Sequence, residues 1–403
     1  MATFSRNVTA IPRDSTFALA ATAKAAPPPK VDLIIGAYRD ENGLPYPLRA
    51  VRKAERRIVD MGLDKEYSPM RGLSHFIEEA LKLAYGADAP MERIAAIQSL
   101  SGTGALSLGA TLLAQILPNG TPVYVSNPTW PNHPSVFSIV GHKDVREYRY
   151  YDSTTRSLDF SGFIADLQAA PAGSIVVLHA CAHNPTGVDP TKEQWAAIAD
   201  VFLAKKLVPF FDMAYQGFAS GNFDEDAYSV RLFQSKGMEM LLAQSFSKNM
   251  GLYGERVGVC SVVVKDPARK DPVLSRLECI GRSYYSTAPL HGARVAHLVM
   301  SDKELRAEWE QEVREMVSRI KNMRKAVYDG LVERKTHGSW EHIITQKGMF
   351  SYLGLSRPQC QRLIEKKCFV MPTSRANMAA LTPHTVDFFI TSVDEVVRQF
   401  RSA

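Results

Sequence analysis

The sequence predicts an α/β protein, with a large domain on a mostly parallel sheet flanked by helices and a smaller α+β domain. Three observations predict it. Short, continuously apolar runs recur at 123–126, 174–181, 207–212, 240–246 and 258–264, as strands buried on both faces require. Helical spacing separates several of them, at 103–117 and 192–206, and strand, helix, strand in series gives a parallel sheet. Finally, Leu305, Trp309, Val313, Met316, Ile320, Met323, Val327 and Leu331 recur by threes and fours. That stripe predicts one long amphipathic helix from Lys303 to about residue 332, linking the two domains.

The ends of the chain are less regular. Residues 1–31 carry Arg6, Arg13, Lys24 and Lys30 against one acid, Asp14, a composition like that of a mitochondrial transit peptide. Pro12 and the run Pro27-Pro28-Pro29 would interrupt a targeting helix, so the expectation is an extended arm that packs on something else. Beyond the long helix, short strands and helices form the α+β tail. It ends in a helix whose capping signature is Ser392-x-x-Glu395. Residues before about Pro45 are expected to join this smaller domain.

Composition narrows the function. The 403 residues are 45% apolar and 22% charged, which excludes a disordered chain or a collagen-like repeat. No stretch reaches about eighteen uncharged apolar residues, so no membrane span is expected. No period of roughly 20–50 residues recurs, which excludes a solenoid or propeller. The five cysteines are scattered without a CxxC pair, as suits a reducing compartment. Net charge is +6, but the basic residues are interleaved with acids, so no nucleic-acid partner is expected. A small positive surplus equally suits an enzyme for anionic metabolites.

Some motifs mislead. Gly102-Thr-Gly104 begins like a dinucleotide fingerprint, but Ser107 stands where the third glycine belongs. His179-x-Cys181-x-His183 lacks a fourth ligand and runs into the turn Asn184-Pro185-Thr186-Gly187, so no metal site is expected. No G-x-S-x-G, Walker A or H-E-x-x-H motif occurs.

The informative stretch is Ser245-Phe-Ser247-Lys248-Asn-Met-Gly-Leu-Tyr-Gly-Glu-Arg256-Val-Gly258. Lys248 emerges at the carboxyl end of an inner strand, where open α/β sheets bind ligands. A desolvated lysine there has a lowered pKa and attacks carbonyls. Ser245 and Arg256 offer a hydroxyl and a guanidinium to a phosphate. An aldehyde-reactive lysine beside a phosphate site points to pyridoxal 5′-phosphate.

This segment resembles the cofactor-attachment site of class I aminotransferases, specifically of the aspartate aminotransferase family. The resemblance extends from Val31-Asp-Leu-Ile-Ile-Gly36-Ala-Tyr-Arg39 to Arg375-Ala-Asn-Met. It implies the fold-type-I architecture of pyridoxal-phosphate transferases, with a seven-stranded large-domain sheet. The implied division is an arm over 1–14, a small domain over 15–45 and 316–403, and a large cofactor-binding domain over 46–315. It also implies a homodimer whose active sites are shared between subunits, and a cytosolic location, since the N-terminal segment matches an arm reaching the neighbouring subunit.

The same resemblance assigns roles. Lys248 would bond the cofactor's aldehyde and then, displaced by the substrate amine, shuttle a proton between the substrate Cα and the cofactor C4′. Asp212, in Phe210-Phe211-Asp212-Met-Ala-Tyr215, would keep the pyridine nitrogen protonated, with His133 supporting it. Tyr215 and Asn184 would hydrogen-bond the cofactor's phenolic oxygen, and Trp130 would stack on its ring. Ser101, Gly102 and Thr103 at a helix start, with Ser245, Arg256 and Tyr67 from the other subunit, would hold the phosphate. Arg375 would grip the substrate α-carboxylate as a bidentate fork, with Gly36 allowing close backbone approach. Arg282, from the partner, would pair with the side-chain carboxylate of aspartate or glutamate.

The implied reaction is reversible amino transfer between L-aspartate and 2-oxoglutarate, giving oxaloacetate and L-glutamate. Met213, Ser374 and Ile34-Ile35 depart from the usual family pattern, so activity on aromatic amino acids stays open. A regulator built on the same scaffold would need an appended DNA-binding segment before Val31, and a nicotinamide dehydrogenase would need the missing glycine fingerprint.

Overall fold

The structure is a computed structural model that describes residues 8, 10 and 14–400. Most of the arm expected over 1–14 lies outside the described residues. Asp14 caps α1 (Ser15–Ala25), its Oδ1 accepting from the N–H groups of Thr16 and Phe17 at 2.8 and 3.1 Å. After α1 comes the short strand β1 (Val31–Asp32).

Seven strands then build one sheet. They are β2 (Ile94–Leu100), β3 (Val123–Asn127), β4 (Val145–Arg149), β5 (Ile175–His179), β6 (Val208–Met213), β7 (Met240–Ser245) and β8 (Val257–Val263). Their order across the sheet is β2-β8-β7-β6-β5-β3-β4. All run the same way except β8, which is antiparallel to both neighbours.

All five strands expected from the sequence are present. The two further strands, β2 and β4, are those whose apolar runs are broken. Gln98 and Ser99 interrupt β2, although both are buried. Gln98 is satisfied there, donating to the Pro289 carbonyl at 2.7 Å and accepting from Leu73 N–H at 3.1 Å. β4 reads Val-Arg-Glu-Tyr-Arg and is mostly exposed, as an edge strand should be.

Helices cover both faces of the sheet. α2 (Ser101–Ile116) packs on one face, where Ala105, Leu112, Phe210, Leu241 and Cys260 share a core. On the other face Trp195 and Phe202, from α3 (Lys192–Lys205), pack with Leu178, Phe211 and Leu242. α4 (Lys270–Tyr285) follows the sheet and α5 (Lys303–Glu333) is the expected long helix. Its apolar stripe is buried, but so are Glu312 and Arg324 on the same face. Glu312 accepts the N–H groups of Arg49 and Ala50 at 2.7 and 2.9 Å, so a buried carboxylate caps the helix Arg49–Asp60.

The C-terminal part contains β9 (Phe350–Tyr352), β10 (Cys368–Phe369), β11 (Arg375–Asn377) and α6 (Val386–Gln399). β1 pairs in parallel with β10, and β9 pairs antiparallel with β11. The N-terminal segment thus packs with the end of the chain, around Ala23, Ile34, Phe369 and Met371. The capping signature expected to open the last helix does not mark its start. Ser392 is not an N-cap: α6 begins six residues earlier, at Val386, and Ser392 is buried in its middle. Phe389 and Ile390 are buried on the same face as Val393 and Val396, so their packing extends the helix past the capping signature.

Candidate active site

The sheet places its chemistry along one edge. Ser101 follows β2, Trp130 follows β3, Asn184 lies in the turn after β5, Asp212 lies in β6 and Lys248 follows β7. Arg256 immediately precedes β8. Because β8 runs the opposite way, its start meets the same edge as the ends of the parallel strands. All six residues, with Gly102, Thr103, Tyr215 and Ser245, line one cleft, where open α/β sheets bind ligands.

One end of the cleft is built for an anion. α2 starts at Ser101 without a side-chain cap, leaving its first N–H groups and the positive end of its dipole uncommitted. Ser101 Oγ lies 2.9 Å from Ser245 Oγ and 2.7 Å from Ser247 Oγ. Arg256 Nη1 donates to the Tyr253 carbonyl at 3.0 Å and reaches Ser247 Oγ at 3.5 Å. Gly258 makes this convergence possible, since a Cβ there would lie 2.8 Å from the Ser101 Cα. Ser247 was not assigned a role from the sequence. Its place between Ser245 and Lys248 in an otherwise apolar strand end was the available signal.

Lys248 lines the same cleft. Burial lowers its pKa to about 8; the nearby Asp212 carboxylate opposes that shift, while Arg256 and Arg375 reinforce it. Its Nζ lies 5.4 Å from the centre of the Tyr215 ring. Tyr215 is buried, and burial raises its hydroxyl pKa, against the pull of Arg375.

Asp212 lines the cleft as well. Burial alone would raise its carboxyl, but the hydrogen bond from His133, helped by the nearby Lys248 ammonium, outweighs it and holds the group below its usual range. An ionised carboxylate only accepts, so His133 Nε2 donates to Asp212 Oδ2 at 3.1 Å. Asp212 Oδ1 is buried with no partner. Burial and the neighbouring histidines push His179 well below its ordinary range, so it is neutral, and its Nε2 is also unpartnered.

Arg375 approaches from β11. Its Nη1 donates to Asn184 Oδ1 at 3.2 Å and its Nη2 to the Ile34 carbonyl at 2.8 Å, while its buried Nε has no partner. No carboxylate among the described residues hydrogen-bonds to it, so a buried guanidinium is left open to an anion. Ser374 before it takes φ +74°, a left-handed conformation that favours glycine. Its Oγ accepts from Leu355 N–H at 2.8 Å.

Phe350, which the sequence did not single out, lies beneath Arg375, with the guanidinium carbon 4.3 Å from its ring centre. A Cβ on Gly36 would come within 2.6 Å of the same ring.

Two expected residues do not reach the cleft within one chain. Tyr67 is 86% exposed. Arg282 is exposed on α4, where it hydrogen-bonds Ser286. His179, Cys181 and His183 form no ligand set. His183 is hydrogen-bonded to Ser126 and Thr186 at 2.9 and 2.8 Å, and no group of three or more metal-ligating side chains occurs among the described residues. No described helix is long and apolar enough to cross a membrane.

Residues 28–393 match the family model for aminotransferase class I and II. The chain is 47% identical over 402 residues to the cytoplasmic aspartate aminotransferase of Dictyostelium discoideum, covering 98% of this chain and 91% of that one. Among solved structures, aspartate aminotransferase from Trypanosoma cruzi is 59% identical with a TM-score of 0.91, covering 98% of this chain and 99% of that one. The broad specificity aminotransferase from Leishmania mexicana is 51% identical with a TM-score of 0.97, covering 99% of each chain.

Proposed function

The chain belongs to the aminotransferase class I and II family, and on that premise we propose that it transfers the amino group between L-aspartate and 2-oxoglutarate, with pyridoxal 5′-phosphate as cofactor. One observation carries the reading. A buried lysine held near pKa 8, a half-satisfied buried carboxylate and an uncapped helix end converge on one cleft.

The residues present fit that cofactor. Asp212 Oδ1 lacks a donor, and a pyridinium N–H supplies one. Ser101, Gly102, Thr103, Ser245 and Arg256, joined by Ser247, suit a phosphate. Trp130 offers a ring face, and Tyr215 and Asn184 polar groups for the phenolic oxygen. When bound, the cofactor supplies an aldehyde for the amine and a protonated ring that accepts the electrons of the substrate Cα–H bond.

The chain does the rest. Asp212, kept ionised by His133, holds the ring charge in place. Lys248, about one-tenth neutral at pH 7 given a pKa near 8, is a competent nucleophile there. With its amine free, it would be the base that takes the substrate Cα proton. Arg375 Nε and its forked neighbours bind the α-carboxylate, and Gly36, lacking a Cβ, lets the Phe350 ring pack close beside that site.

Tyr67 and Arg282 act across a twofold homodimer, Tyr67 on the phosphate and Arg282 on the second carboxylate of the partner's substrate. The proposed domain division is a small domain over 15–45 and 316–403 and a large domain over 46–315. The relative from Dictyostelium discoideum, named as cytoplasmic, supports a cytoplasmic location. A second reading, a broader substrate range, is favoured by the similarity to the Leishmania mexicana enzyme, which is named as broad in specificity.

The test is to supply 2-oxoglutarate with aspartate, tyrosine or alanine in parallel and follow the oxo acid formed. Aspartate turnover well above alanine turnover is expected. Comparable tyrosine turnover selects the broader reading, and no turnover of aspartate overturns the proposal.

A further inference from the structure

Arg324 stands on the buried stripe of α5 between Ile320 and Val327 and is itself buried. No carboxylate pairs with it among the described residues. Its Nη1 donates to the Ile343 carbonyl at 2.9 Å and to Ser351 Oγ at 3.0 Å. Its Nη2 donates to the carbonyls of Gly348 at 2.9 Å, of Lys347 at 3.5 Å and of Phe350. Every acceptor lies in one stretch, residues 343–351. A guanidinium without a counterion is a costly way to stabilise a core, and it is well suited to fixing a loop whose carbonyls would otherwise be unsatisfied.

That loop touches the α-carboxylate site at two points. Phe350 lies beneath Arg375 at 4.3 Å and against Gly36. Lys347 N–H donates at 2.6 Å to the Gly187 carbonyl, tying the loop to the turn that carries Asn184. Gly187 has φ +67°, and a Cβ there would lie 2.8 Å from the Phe350 carbonyl, so loop and turn are in close contact. Asn184 in turn accepts from Arg375 Nη1.

We infer that Arg324 is a positioning residue for substrate: through Phe350 and the Asn184 turn it sets the orientation in which Arg375 receives the α-carboxylate. The inference rests on the proposed transaminase reading. It makes Arg324 act on substrate affinity and leaves the cofactor chemistry alone.

The experiment compares wild type and Arg324→Lys as cofactor-loaded proteins. It measures kcat and KM for aspartate, and the affinity for succinate, a dicarboxylate without an amino group, by calorimetry. Arg324→Lys keeps the charge but not the fork. It should weaken succinate and raise the aspartate KM by about tenfold, the cost of a charged hydrogen bond. Cofactor absorbance and kcat should be largely kept. Unchanged succinate affinity with a lowered kcat or less folded protein would make Arg324 a scaffold and overturn the inference. If Arg324→Lys does not fold, the same comparison on Phe350→Leu decides: weakened succinate supports the path through Phe350, and unchanged affinity overturns it. A wild type that binds succinate yet turns over no aspartate overturns the transaminase reading as well.

Discussion

Asp212 and His133 share one hydrogen bond of 3.1 Å that satisfies one carboxylate oxygen and leaves the other buried and free. With Thr129 Oγ1 2.8 Å from His133 Nδ1, the ring is held from both sides, so it orients the carboxylate as well as charging it. Asp212→Asn removes the charge that sustains the protonated ring and should cut kcat by about 10²–10³-fold. His133→Asn retains a donor and should cost about tenfold or less. Equal losses in steady-state kinetics would mean that the hydrogen bond, and not the charge, matters.

Lys248 gives a prediction about stability that needs no activity. Burial holds it at about 8, against 10.5 in an unfolded chain. Between those values the unfolded chain binds more protons, so stability rises with pH there, and below pH 8 the full cost of about 3 kcal/mol is present. Stripped of cofactor, Lys248→Met should therefore resist urea better than wild type at pH 7, with the advantage shrinking toward pH 10.5. A difference that stays constant with pH would contradict the depressed pKa.

Arg282 should decide between substrates. Arg282→Ala should lower turnover of aspartate and glutamate by more than about a hundredfold, as expected when a buried charge pair is broken on one side. Tyrosine and alanine, which lack the second carboxylate, should be hardly affected. Equal losses for all four would make Arg282 structural.

The shared site can be tested by mixing chains. Lys248→Ala and Arg282→Ala chains are each nearly inactive, but half of an exchanged population is hybrid. In each hybrid one site holds both defects and the other holds neither. Aspartate activity should return to about a quarter of wild type on that symmetry. With subunit exchange shown by differently tagged chains, no recovery would place both residues in one chain's site.

The fold was legible where burial writes itself as an apolar run: β3, β5, β6, β7 and β8 fall within two residues of their expected ends. β2 and β4 were not, because Gln98 is satisfied by backbone partners distant in sequence and β4 is an exposed edge. The cleft residues followed from motif positions, and the structure brings Ser101, Asp212, Lys248 and Arg256 together. Phe350 and Arg324 were invisible for a different reason. A phenylalanine in a tail and an arginine on a helix read as core and surface, and only tertiary packing puts one beneath Arg375 and the other at the carbonyls behind it. The polar break that Glu312 and Arg324 make in the stripe of α5 was the only hint.

Above all, Lys248 is the residue expected to bond the cofactor. Treating the cofactor-loaded protein with borohydride, digesting it and weighing the peptides tests this most directly. A pyridoxyl group on Lys248, absent if the protein is first incubated with an excess of aspartate, is the expected result. A pyridoxyl group on another lysine, or on none, would contradict it.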